Sequence, residues 1–175
     1  MVLTVSRFLS TLVDICLLRA GPQQLPHNSS LLVLCLIVYF SLDVALAKLS
    51  ITFMPPFAFA LFDTGLMLGF VWFMLSFKGY YSRFTQTAIA FSGSGILLGL
   101  VAWVLLSWQV SYVDSQQAMV LPTLLLLLHM LWNLAVISAI IHHAVSITIY
   151  WAWGVTLSYF FIYMIIIRLM AVAVS

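Results

Sequence analysis

From residue 31 onward the chain alternates long apolar stretches with short breaks rich in Pro, Gly, Tyr, Ser and charge. Five stretches stand out, at 31–49, 56–77, 86–108, 119–141 and 145–167. Each is close to the ~18–20 residues that cross a bilayer core as helix. Backbone groups in hydrocarbon have no water to bond, so all five are expected to be helical. Pro55-Pro56 marks the first break, with Pro tolerated at a helix start. The stretches KGYYSR, QVSYVDSQQ and IIHHAVS mark the other three. Tyr80, Tyr81, Trp108, Tyr112, Tyr150 and Trp151 lie near the span ends, as an aromatic belt would.

The N-terminal segment has a different pattern. On a wheel of ~100° per residue, Phe8, Leu9, Leu12, Val13, Ile15 and Cys16 share one arc. Ser6, Arg7, Ser10, Thr11 and Asp14 gather on the other. Such a helix suits the membrane interface, lying in its plane, or packs on the protein's own spans. Gly21-Pro22 is expected to stop it through a left-handed cap. Residues 1–20 are therefore read as an amphipathic interfacial helix, and 21–175 as a five-helix transmembrane domain. Asp14 interrupts the apolar part and no A-x-A-like site follows, so a cleavable signal peptide is not expected. Asn28 opens a glycosylation-type NSS tripeptide, but helix N-capping explains it better.

Composition sharpens this picture. Of 175 residues, 65% are hydrophobic and 6% charged, whereas a soluble domain carries about a quarter charged residues. The fold class is all-α, a polytopic membrane helical bundle whose first partner is the lipid bilayer. A net charge of +2, thinly spread, argues against nucleic acid as a partner. A cytoplasmic N-terminus places Arg7, Arg19, Lys78 and Arg83 inside, and Lys48 and Arg168 outside, which favours that orientation. Cys16 and Cys35 sit among apolar residues without CxxC spacing and read as free, buried thiols.

Two glycine pairs have GxxxG spacing, Gly65 with Gly69 and Gly95 with Gly99. Glycines four apart cut a groove that admits a neighbouring backbone. Ser92 and Ala88 extend the small face of the third span. Spans two and three are expected to pack through these faces, or to use them between copies of the chain.

Four polar residues within the apolar spans carry candidate chemistry. Asp43 lies just past the centre of span one, Asp63 near the centre of span two, and His129 near that of span four. At ~1.5 Å rise per residue the three fall within roughly 5 Å of a common depth. Asn133, one turn after His129, shares its helix face. A charge at mid-membrane costs at least ~2.5–3.5 kcal/mol, so these side chains should face protein or water and find partners. Asp43 is expected to meet His129 or Asp63. The cluster reads either as a polar clasp between helices or as a site that handles protons or cations. Snorkelling of Asp43 beside Lys48 is the third alternative.

Catalytic chemistry has little to stand on. Ser94 within FSGSG, with His129 as base, would make a serine hydrolase, but the glycines are better explained by packing. Haem needs two deep histidines, and only His129 is deep. His142 and His143 lack further ligands at metal-binding spacing. No catalytic residue, metal or cofactor is assigned.

The opening block FLSTLVDICLLRAGPQQLPHNSSLL resembles a group of uncharacterised bacterial inner-membrane proteins. The five-span layout is similar to that of the Yip-type membrane proteins, which are associated with membrane trafficking. The resemblance implies a small, non-enzymatic protein of the bacterial inner membrane, acting through a membrane-protein partner or a second copy of itself. The alternative function is a small ion- or proton-coupled carrier or channel that uses the Asp/His cluster.

Overall fold

Asn28 begins the first long helix, because its Oδ1 accepts from Ser30 N at 2.9 Å and Leu31 N at 3.2 Å. These bonds satisfy backbone donors that the first helical turn leaves free. In a computed structural model describing residues 2–51, 53–112 and 116–174, six α-helices carry the chain. They are α1 (Val2–Cys16), α2 (Ser29–Ser50), α3 (Pro56–Phe77), α4 (Phe84–Val110), α5 (Gln116–Val145) and α6 (Ile149–Val174). Among the described residues there is no strand. Five helices are long and apolar enough to cross a membrane, α2 to α6. The QVSYVDSQQ break falls partly outside the described residues.

The last break lies later than the expected span boundary at Val145. α5 continues through His142 and His143, and the chain turns at Ser146, whose φ of 54° is left-handed. The His142 ring, bonded to the Ile147 carbonyl, and Arg83 tie this turn down. Arg83 Nη1 donates to Ala144 O at 2.9 Å and Ser146 Oγ at 3.1 Å, while its guanidinium sits 4.5 Å from the Tyr80 ring centre.

The N-terminal helix also stops earlier than Gly21. Leu18 takes the left-handed conformation, with φ 62°, and Arg19 N donates to Asp14 O at 2.8 Å. Gly21 is extended (φ −114°), and its requirement is space: a Cβ there would lie 2.9 Å from the His143 ring. Gln23 donates to the His143 carbonyl and Gln86 to Leu25 O at 2.7 Å. The linker is thus laced across one end of the bundle.

The apolar arc of α1 is divided. Leu12, Ile15 and Cys16 are buried against the bundle, with Leu12 on Gly93 of α4. Leu9 and Val13 of the same arc are exposed, in a row with Val5 and Leu17 at four-residue spacing. Arg7, Ser10 and Asp14 occupy the third, polar face, with Arg7 and Ser10 exposed and Asp14 half-buried. Trp132 Nε1 of α5 donates to Cys16 O at 2.9 Å, closing the end of α1. Cys16 and Cys35 are buried and free. Burial pushes the Cys16 thiol up to about 11, since the charged thiolate loses its hydration there.

α4 runs through the middle, against α1, α2 and α5, and α6 packs on α5. Its small residues allow this: Ala88, Ala90, Ser92 and Ser94 are all buried. Between α5 and α6, Ser138 Oγ donates to Thr156 Oγ1 at 2.9 Å, so a buried polar pair has its bond.

Candidate functional site: an intramembrane cavity between α2, α4 and α5

The second GxxxG pair seats α2. A Cβ on Gly95 would lie 2.6 Å from Tyr39 Cε2, and one on Gly99 would lie 2.8 Å from Leu42 Cδ2. Those positions of α4 are therefore occupied by the ring and the branched side chain of α2. The expected pairing of spans two and three through their glycines is not what forms: the α4 groove takes α2. Among the described residues the glycines of α3 meet no neighbouring element, since neither Gly65 nor Gly69 has an atom outside its own helix backbone within 4 Å of a would-be Cβ. Ser92 is buried on α4, with its hydroxyl turned back to Ala88 O at 2.8 Å.

With its ring resting on Gly95, Tyr39 extends its hydroxyl to α3 and donates to Asp63 Oδ2 at 2.7 Å. Tyr163 of α6 is a second side-chain hydrogen-bond partner of the same carboxylate. Asp63 is only 9% accessible, so these hydroxyls replace the water it has lost. Three helices are joined by this one carboxyl group.

Beside it lies a cavity of about 420 Å³. α2 contributes Tyr39, Leu42, Asp43 and Leu46, and α3 contributes Asp63 and Met67. α4 lines it with Phe91, Ser94, Gly95 and Gly99 among others, and α5 with His129, Met130 and Asn133. Thr156, Tyr159, Phe160 and Tyr163 of α6 complete the wall. Asp43, Asp63 and His129, which sequence places at one depth, thus border one space together with Asn133, one turn from His129. Gly65, Gly69 and Ser92 are not among its lining residues.

The bonding differs from the expected pattern. Asp43 does not bond to His129 or Asp63. Its Oδ2 is buried without a hydrogen-bond partner among the described residues, and so is His129 Nδ1. The Asp63 carboxylate is an electrostatic neighbour of Asp43 rather than a partner, since two acceptors cannot satisfy one another without a shared proton. Thr64 Oγ1, next to Asp63 in sequence, is also buried and unpaired.

The tyrosines are what sequence reasoning misses. Tyr39, Tyr159 and Tyr163 look like apolar filling in the pattern, although all three lie well inside their spans rather than at the ends. A buried phenol needs a bonding partner, and a mid-span tyrosine one turn before an aspartate, as Tyr39 is to Asp43, is the available signal. Rings of α3 and α6 stack beside the cavity: Phe70 of α3 and Tyr159 of α6 have centroids 4.2 Å apart, and Tyr159 and Tyr163 are 6.3 Å apart.

Ser94 and His129 both border the cavity, but the Ser94 hydroxyl donates to Ala90 O at 2.7 Å within its own helix. Among the described residues no set of three His, Cys, Asp or Glu side chains converges as metal ligands. Comparison with family models, with curated proteins and with solved structures finds no match to this chain.

Proposed function

We propose that this is a non-enzymatic polytopic membrane protein that takes an ion or small polar ligand into the cavity, as a small ion- or proton-coupled carrier or channel does. One observation carries the reading. Asp43 of α2 and His129 of α5 line a cavity that also holds Asp63 and Asn133, and their buried Oδ2 and Nδ1 are unpaired among the described residues. A clasp would have satisfied its own polar atoms, because unpaired ones cost about 1–3 kcal/mol each. A site for an exchangeable ion or ligand leaves them open until it is filled. In proteoliposomes under an imposed potential, a cation flux should be seen that Asp43→Asn abolishes while thermal stability is kept. Equal flux from the variant, or none from either, would remove the reading.

A second reading is association with a membrane partner or a second copy. It has its own support in Gly65 and Gly69, which leave a groove on α3 that nothing among the described residues fills.

The proposed setting is the bacterial inner membrane, with the N-terminus cytoplasmic and the C-terminus opposite, an orientation that the Lys/Arg distribution favours. In that setting α1 lies in the interface. Its buried face meets the bundle, its Leu9 and Val13 face meets acyl chains, and Arg7 and Asp14 meet headgroups.

A further inference from the structure

We infer that the ligand of this cavity is an organic cation: an amine or quaternary ammonium carried on a small apolar body. The inference rests on the reading of the cavity as a ligand site and adds the chemistry of the occupant.

Size comes first. A space of about 420 Å³ falls in the range of small-molecule sites, roughly 300–1,000 Å³, and is far larger than one dehydrated ion. The polar groups do not converge as a metal site needs, since no metal-ligand set of three forms among the described residues. An inner-sphere metal ion is a poor fit.

Charge comes second. The lining holds two carboxyl groups and neither Lys nor Arg. An anion would meet repulsion here, and a cation would meet a counter-ion. The two acids are not equivalent. Asp63 already has the hydroxyls of Tyr39 and Tyr163, so its role is to brace α2, α3 and α6. Asp43 has an oxygen with no donor, and a bound cation or N–H group is what would satisfy it. His129 also lines the cavity, and its unpaired Nδ1 offers a second acceptor for an N–H when the proton sits on Nε2.

The aromatic lining comes third. Tyr159, Phe160 and Tyr163 share the wall with Phe91 and Tyr39. Ring faces carry negative potential and attract cations, most strongly where water is excluded. They also supply the apolar surface that a bare inorganic ion would not use. A counter-ion and several aromatic rings around one cavity suit a charged nitrogen attached to hydrocarbon.

The test uses the full chain in lipid nanodiscs and benzyltrimethylammonium as probe, with neopentylbenzene as its neutral isostere. Radiolabelled benzyltrimethylammonium should bind saturably. Unlabelled cation should compete and the isostere should not. Asp43→Asn should weaken binding about ten-fold or more, the loss expected when a desolvated charge pair is broken. Asp43→Glu, which keeps the charge, should retain binding, and Tyr159→Leu should weaken it several-fold. Thermal unfolding identifies any variant that fails to fold, and the Glu variant still decides the question. Competition by the isostere equal to that of the cation, or undiminished binding in folded Asp43→Asn, would overturn the inference. No cation binding together with Asp43-dependent flux would overturn the inference alone. No binding and no flux would overturn the carrier reading as well.

Discussion

Replacing Gly95 by alanine adds one methyl group at the point where α2 leans on α4. The new Cβ would sit 2.6 Å from Tyr39 Cε2 and 3.0 Å from Cδ2, so the ring must retreat by about 1 Å to reach ordinary contact. Overpacking of this kind costs about 1–3 kcal/mol. The same retreat stretches the Tyr39–Asp63 bond from 2.7 Å towards a length at which it no longer holds. A buried carboxyl group that loses one donor costs about 1–3 kcal/mol more. The two terms overlap, which places Gly95→Ala at about 2–4 kcal/mol, or roughly 4–16 °C in Tm for a chain of this size. Gly65→Ala is the matched control. No atom lies within 4 Å of its new methyl group, and helix propensity favours alanine by up to about 1 kcal/mol. Thermal unfolding in detergent, followed by tryptophan fluorescence, should therefore give shifts of opposite sign for the two variants. Tyr39→Leu in the Gly95→Ala background should cost less than the sum of the single changes, because it removes the clashing ring. Equal Tm values for Gly95→Ala and wild type, or strict additivity with Tyr39→Leu, would show that the ring is not seated there.

Gly99→Leu should destabilise the chain strongly through Leu42, whereas Gly69→Leu should leave the unfolding temperature nearly unchanged; equal losses would place both glycines at interfaces. Trp132→Phe removes the bond to Cys16 O and should loosen α1 by about 0.5–1.5 kcal/mol, read as faster amide exchange in residues 8–16 with α4 unaffected. The Cys16 thiol, raised from an ordinary 9.0 to about 11, should resist maleimide at neutral pH. Because its folded pKa is the higher one, the stability it contributes is full below pH 9 and is lost as pH rises through about 11, which denaturation at stepped pH would detect. Reporter fusions at the two termini should fall on opposite sides of the membrane; finding both on one side would contradict a five-span topology.

Long apolar runs make the helices legible in the amino-acid pattern, because a bilayer admits few alternatives to helix. The start of α3 at Pro56 and its end at Phe77 are the same in pattern and in structure. Boundaries set by single hydrogen bonds are not legible. The end of α1 at Leu18 and the turn at Ser146 depend on left-handed residues that no Gly or Pro announces. The cavity is legible in depth, since helical rise alone aligns Asp43, Asp63 and His129. Lateral packing is not, because both GxxxG pairs look alike and only the bundle decides that Gly95 meets α2 while Gly65 meets nothing. The bond from Tyr39 to Asp63 is a consequence of that packing. The unpaired Asp43 follows from it too, because the tyrosine hydroxyl beside the acids is already taken by Asp63.

The central claim is that Asp43 gives the cavity a negative charge which a cation can reach from water. Asn133, on the cavity wall with Asp43, is the place to read it. In a chain carrying Asn133→Cys with Cys16 and Cys35 replaced by alanine, a trimethylammonium methanethiosulfonate should modify the new thiol faster than its sulfonate counterpart, each rate being taken relative to that reagent's rate with a small free thiol in solution. Adding Asp43→Asn should bring the two rates together. Equal rates with Asp43 present, or no labelling by either reagent before denaturation, would contradict the account.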